Sequence, residues 1–392
     1  MRKHIATIAV VLMVAGVTNA GSWAQESLAL GYQAENADLV AMGSLAGAER
    51  DAAGNYRVTF SVTEVIRGTV DVGSSVVVGY PDLGHRPPWR AGSSHLLFLV
   101  RRAGEAVYTP VSGPYSIRAI PAEGVVARLP EMTRRIVSTL ATETKDADLD
   151  TLRTLLLGWL ADPEPGVVWS AAMDFVRRRD LHEGLSAEQR KQVLAAFVAH
   201  PYGKASKDAL VMAVAAAKPA GAGAALVSAL AHESGRTIRG TVSDALLELS
   251  DPTVPALIAG ELARAKDPSK ADLLQVLGAV GGAESVDVVR AHVSGGSPEV
   301  RLEAAHALGR IARTVREAKP DAKVSGATDL EGMLASSKDR KSQQAALWAL
   351  AQLQDPEAVA LLTKLSKDDK REFVRTWAGR YRDRPRLSLI LR

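Results

Sequence analysis

Cysteine is absent from the 392 residues, and aromatic side chains make up only 5% of them. The first absence excludes disulfides, thiol catalysis and a lipid attached to an N-terminal cysteine. The second argues against a large aromatic-rich β core. Apolar residues still reach 47%, with Ala and Leu dominant. Helices packed through small and aliphatic side chains are therefore favoured. Long apolar runs are also lacking, with one exception. Ile5 to Val17 follows Arg2 and Lys3 and precedes small-residue sites at Asn19-Ala20 and Trp23-Ala24. This is the tripartite pattern of a secretory signal peptide, and the run falls short of the ~20 residues a spanning helix needs. The expectation is a leader of residues 1–20, or 1–24 with the second site. The mature chain would then carry no membrane span and would work in the periplasm or outside the cell. An exported protein without disulfides must be stable through its core alone, which suits a large bacterial envelope protein.

A uniform basic charge is missing too. The formal net charge is +4, but the leader contributes +2 and residues 370–392 contribute +6, which leaves the stretch between them at −4. That distribution does not describe a nucleic-acid-binding surface.

Catalytic motifs are equally scarce. His182-Glu183 and His232-Glu233 begin the zinc-protease pattern, but Ser186 and Arg236 stand where the second His is needed. No Gly-x-Ser-x-Gly elbow occurs. Gly203-Lys204 lacks the upstream glycine of a phosphate loop, and Gly221-Ala-Gly223 lacks the third glycine of a dinucleotide turn. Pairs such as Asp368-Asp369 lie in polar connections and read as solvated. No catalytic, cofactor-binding or metal-ligating residue is assigned, and the chain reads as a non-enzyme. One alternative keeps an enzyme or enzyme accessory, with a site in the loop 81–92 or between domains. His85, Arg86, Arg90 and His95 are its candidates.

What is present divides in two. Residues 25–128 read as β. Tyr56-Arg-Val58-Thr-Phe60-Ser-Val62 alternates apolar and polar residues as a half-buried strand does. Leu39 to Met42, Val76 to Val78, His95 to Val100 and Val107 to Val111 are further strands. Asp51 to Asn55 carries a hairpin signal, and Pro81 to Gly92 is too rich in Pro and Gly for regular structure. Five or six short strands predict a small barrel or sandwich. The order Ala37-Asp-Leu-Val40 with Gly43, then Val62-Thr-Glu64-Val65-Ile66-Arg67-Gly68, then Gly92-Ser-Ser-His-Leu96-Leu97-Phe98-Leu99, resembles the OB-fold barrels of the netrin-like, or TIMP-like, group. In animal members of that group an N-terminal cysteine clamps a protease zinc. A chain without cysteine cannot inherit that mechanism.

From Ala147 the period changes to 3.6. Leu149, Leu152, Leu155, Leu156, Trp159 and Leu160 share one helix face. The clearest unit starts at Ser297, a natural N-cap, with Pro298 at the first helical position. Val300, Ala304, Ala307, Leu308 and Ile311 form its buried stripe, and Ala304 and Gly309 admit a close neighbour. This segment resembles the second helix of a HEAT repeat, with its Pro near the start, its Val-Arg and its Ala-rich and Leu-Gly elements. Gln344 to Leu353 and Asp272 to Val280 repeat the shape. Asp244 to Leu249, Asp208 to Val214 and Val168 to Val176 repeat it more faintly. Aligning Leu247, Leu277, Leu308 and Leu350 gives spacings of 30, 31 and 42. The long one holds the polar stretch Thr314 to Thr328, expected as an exposed loop. Asp-Pro pairs at 162–163, 251–252, 267–268 and 355–356 are suited to capping one helix while ending another. Six or seven helical pairs of this period make a solenoid.

The expected fold is therefore α+β and multidomain, a small OB-like N-terminal β-barrel followed by an all-α HEAT-type solenoid. The leader is followed by the β domain at 25–128, a linker or helix at 129–146, repeats at 147–383 and a basic tail at 384–392. The resemblance implies a non-catalytic scaffold that binds protein partners. Trp169, Arg301, His306 and Trp348 fall on second helices outside the aligned stripe and are the candidate contacts, while Trp377 aligns with the stripe. Arg380, Arg382, Arg384 and Arg386 are interleaved with two aromatics near the terminus. They read either as a soluble cap on the last repeat or as a site for an anionic envelope polymer.

Overall fold

The computed structural model describes residues 29–51, 54–80, 90–114, 116–121, 125–140, 145–201, 205–232 and 237–385. The leader, residues 81–89 and residues 386–392 lie outside them. The chain forms two compact units, 1–196 with 204–217, and 197–203 with 218–392. The division does not follow the β-to-helix boundary of the sequence.

The first unit opens with a short helix, α1 (Leu30–Asn36), inside the region read as β. Six strands follow: β1 (Leu39–Arg50), β2 (Tyr56–Arg67), β3 (Ser75–Tyr80), β4 (Ser94–Arg101), β5 (Tyr108–Pro114) and β6 (Ile117–Ala119). Alternation on β2 buries Tyr56, Val58, Phe60 and Val62 on one face. The strands pair in the order β1-β2-β3-β5-β4, and β1 pairs with β4 to close the ring. Only the β3–β5 pairing is parallel. This is a five-stranded Greek-key barrel of the OB type, with β6 added at the far edge of β4. Three register shifts along the β1–β2 ladder supply the bending that closure needs. Leu39, Leu45, Phe60, Val78, Leu97 and Leu99 are among the residues that fill the interior. On β4, Leu96 and Phe98 are buried as well, so both faces of this strand are covered. That is why His95 to Val100 reads as a continuous apolar run and does not alternate. At the hairpin 51–55, Asp51 Oδ1 accepts from Asn55 N at 2.8 Å and Gly54 takes a positive φ of 83°.

Helices α2 (Leu129–Leu140), α3 (Lys145–Leu160), α4 (Pro165–Arg177), α5 (Arg179–Glu183), α6 (Ala187–Ala199) and α7 (Ala205–Ala217) come next. Arg134 on α2 makes a two-pronged bond to Glu64 on β2, 2.7 Å to each oxygen, and so ties helix to barrel. Bonding and attraction from Arg134 hold the Glu64 carboxyl below its ordinary range. Helix α4 packs between α3 and α7.

The second unit holds α8 (Ala222–Ala231), α9 (Arg239–Leu249), α10 (Val254–Leu262), α11 (Asp267–Val280), α12 (Val286–Val293), α13 (Pro298–Ala318), α14 (Ala327–Ser336), α15 (Arg340–Leu353), α16 (Pro356–Asp368) and α17 (Glu372–Asp383). Second helices stack as a row, α9 on α11, α11 on α13, α13 on α15 and α15 on α17. Glycines set the closest approaches. A Cβ at Gly278 would lie 2.6 Å from Ala307 Cα, and one at Gly309 would lie 2.4 Å from the Trp348 ring.

Ser297 caps α13 by accepting from Val300 N, and Val300, Ala304, Ala307, Leu308 and Ile311 are fully buried. Asp355 and Asp339 cap α16 and α15 in the same way. The other Asp-Pro pairs act differently. Asp267 lies inside α11 and accepts from Ser297 N at 3.0 Å, which joins two repeats. Asp162 and Asp251 accept from the amides two residues on, in turns. Two expectations need correction. The helix α13 continues to Ala318, so only 319–326 leave it for a connection, and Val324 within that connection is buried. Leu247 does not align with the buried leucines, since it is 47% exposed while Leu246 is 2% exposed. The stripe of α9 is set by its packing on α8 and α11, one residue away from the repeat count.

Candidate interaction surface

The aromatic candidates on the second helices are structural to different degrees. Trp348 is buried against α13, where the missing side chain of Gly309 makes room for its ring. His306 is also buried, edge-on to Trp348 with ring centroids 6.2 Å apart, and its Nδ1 lies 3.4 Å from Glu303 Oε2. These two residues form an inter-repeat contact and are not a free surface. Both lie outside the stripe that the sequence marks, because the 3.6 period fixes a helix's main buried face but not how many neighbours cover it. Here α15 is buried at every position from Ser342 to Leu353. Its glutamines bond internally: Gln343 donates to Ser337 O at 2.9 Å, Gln344 to the Tyr381 hydroxyl at 3.3 Å, and Gln352 to Pro385 O at 2.7 Å.

Arg301 is half-buried. It shares a helix face with Ala305, Leu308 and Ala312, all buried, and so it sits toward the neighbouring repeats. Trp169 on α4 is half-buried. The exposed row on α13 is instead Arg310, Arg313 and Glu317: Arg310 donates weakly to Gln275 O at 3.5 Å, and Arg313 Nε donates to Glu317 Oε1 at 2.8 Å.

At the C-terminal end most arginines have partners within the fold. Arg382 bonds Asp383 and Ser366, Arg371 bonds Asp369 and Leu334 O, and Arg375 donates to the carbonyls of Asp369 and Lys370. Arg380 lies over the Trp377 ring at 5.0 Å, and Arg340 over Phe373 at 5.4 Å. Trp377 is half-buried, between the expected core position and an open one. Tyr381 beside it is fully buried. This arrangement closes the last repeat with cations over aromatic faces. Arg384 is exposed, and Arg386 lies outside the described residues.

The candidates for chemistry do not form a described site. His95 is buried in the barrel wall, edge-on to Phe60 at 5.3 Å, with Nδ1 3.0 Å from Ser93 O. Burial lowers its basicity. Arg90 is exposed at the end of its loop, and His85 and Arg86 lie outside the described residues. An open cleft at the β4–β5 turn is lined by Asp38, Thr69, Arg101, Arg102, Glu105 and Tyr108. Its charges are engaged locally: Asp38 accepts from Arg101 N, Arg101 Nε donates to Glu105 O, and Arg102 pairs with Glu105. Among the described residues no cluster of His, Asp or Glu is arranged to hold a metal ion, and no helix is long and apolar enough to cross a membrane.

The sequence family described as HEAT repeats matches residues 325–381, which span α14 to α17. No curated protein matches the chain.

Proposed function

Because its helical array belongs to the HEAT-repeat superfamily, we propose that this protein is a non-catalytic scaffold, exported from the cytoplasm, that holds a protein partner on the array. The observation that carries the reading is the row of second helices with its interior closed, and with Arg310 and the Arg313–Glu317 pair exposed on α13. In a solenoid such a row is a continuous face suited to an extended partner. Burial of His306 and Trp348 moves the contact away from the aromatics toward Arg310 and Arg313, and arginine is over-represented in binding hot spots. A partner segment with an acidic side chain facing Arg310, and a second that takes Arg313 from Glu317, is the complement of that row. Export is supported by the sequence pattern of residues 1–24.

The test is affinity purification of the full chain from an envelope fraction, beside a double variant Arg310→Glu, Arg313→Glu. Both positions are exposed, so the fold should tolerate the change. A partner retained by the parent and lost from the variant is expected. Recovery of the same partners by both would overturn the placement of the surface, and a chain found unprocessed in the cytoplasm would overturn export.

A further inference from the structure

The arginines near the C-terminal end of the array are held in two different ways. Arg371 and Arg382 pair with carboxylates, Asp369 at 2.8 Å and Asp383 at 2.7 Å. Arg340 and Arg380 are held by aromatic rings. The Arg340 guanidinium lies 5.4 Å from the centre of the Phe373 ring, and that of Arg380 lies 5.0 Å from the Trp377 ring. The two rings are 6.2 Å apart, so Arg340, Phe373, Trp377 and Arg380 form one strip across α15 and α17. Trp377 also packs on Tyr381 at 5.4 Å, and the Tyr381 hydroxyl accepts from Gln344 on α15. Neither the Arg340 nor the Arg380 guanidinium forms a hydrogen bond or an ion pair among the described residues.

The two kinds of restraint have different consequences. A carboxylate cancels the charge of an arginine. A ring restrains the side chain and leaves its charge and its N–H groups available. Both arginines are exposed, and both rings are half-buried. Two long side chains are thus partly ordered before anything binds, which lowers the entropy cost of a contact. We propose that this strip docks an acidic peptide segment of a protein partner, with one carboxylate on each arginine and an apolar side chain over the rings between them. The proposal rests on the reading of the array as a protein-binding scaffold, and it adds a second contact to the one on α13.

The surrounding charges favour a peptide over a membrane or a polyanion. Glu372, next to Phe373 in the chain, is exposed, and Arg371 and Arg382 are already paired. This end therefore presents discrete cations among acids and not a uniform positive field. A charged membrane or a polymer of like charges is attracted by the field. Two carboxylates at a matched spacing are attracted by two fixed guanidinium forks. With the three contacts of the strip laid end to end, an extended chain spans it in about five residues or fewer, at ~3.4 Å per residue.

Fluorescence anisotropy with the purified full chain tests the strip. The probe is a labelled peptide with Glu-Ser-Leu-Ser-Glu at its centre, beside the same peptide with Gln in place of both Glu. Phosphatidylglycerol vesicles and inorganic polyphosphate are the competing probes. The Glu peptide should bind, with an affinity that falls as salt is added. Arg340→Gln and Arg380→Gln should each weaken it about threefold to fivefold. The double variant should no longer distinguish the two peptides. Absence of binding by the parent, equal binding of both peptides, or a double variant that still prefers the Glu peptide would overturn the proposal. Tighter binding of vesicles or polyphosphate than of the Glu peptide would overturn it as well. Each of these results leaves the α13 contact standing, because that contact is tested by Arg310→Glu, Arg313→Glu against envelope partners. The comparison of the two peptides on the parent decides the matter even if a variant fails to fold.

Discussion

Replacing Gly278 by Ala should destabilise the second unit, although Ala is the better helix former. A Cβ at this position would lie 2.6 Å from Ala307 Cα and 3.0 Å from Ala307 Cβ. The obstructing atoms belong to backbone and to a side chain with no rotamer to change, so relief requires α11 and α13 to move apart. Such overpacking costs about 1–3 kcal/mol, while Gly to Ala inside a helix returns about 1 kcal/mol. With rigid atoms in the way, a net loss of about 1–2 kcal/mol is expected. Gly332 in α14 is the control, because it is exposed and nothing lies within 4 Å of its Cβ position. Gly332→Ala meets only the propensity effect and should gain about 0.5–1 kcal/mol. Urea unfolding followed by circular dichroism reads both. Midpoints are to be compared with slopes, since a repeat array does not always unfold in one step. A Gly278→Ala protein as stable as the Gly332→Ala protein would refute the close approach of α11 and α13, and with it the stacked second-helix row.

Trp348→Ala empties a buried site between His306 and Gly309 and should cost about 3–5 kcal/mol in the same assay; a loss below about 1 kcal/mol would mean that the ring is not packed between repeats. Ser297→Ala and Asp355→Ala each remove one side-chain cap and should each cost about 1 kcal/mol. They sit on different helices, so their effects should add, and thermal unfolding of the double variant checks this.

Much of the local structure was legible beforehand because its causes lie within a few residues. The alternation at 56–62 fixed β2, and Ser297 with Pro298 fixed the start of α13. The stripe from Val300 to Ile311 fixed which side of that helix is buried. The register between repeats is not a local property. Leu247 looked equivalent to Leu277 but stands one residue off the buried position, since spacing along the sequence does not measure how a helix rotates against its neighbours. The polar 314–318 stretch continued α13, because favourable helix residues such as Arg316 and Glu317 extend a helix that has already nucleated.

Local pattern was enough for two kinds of structure, a short-stranded β region and a helical array with caps at Ser297 and Asp355, because periodicity and capping act over one or two turns. The sequence also determined the absence of disulfide and thiol chemistry. Tertiary structure alone decided which residues remain available. The closure of β1 on β4, the burial of His306 and Trp348, and the covering of α15 from Ser342 to Leu353 depend on distances between elements. The docking of α1 on Ser170 and Asp174 joins groups 140 or more residues apart. No local pattern encodes such a contact, because the carboxyl that caps the helix lies outside any window in which the chain reads as a helix start.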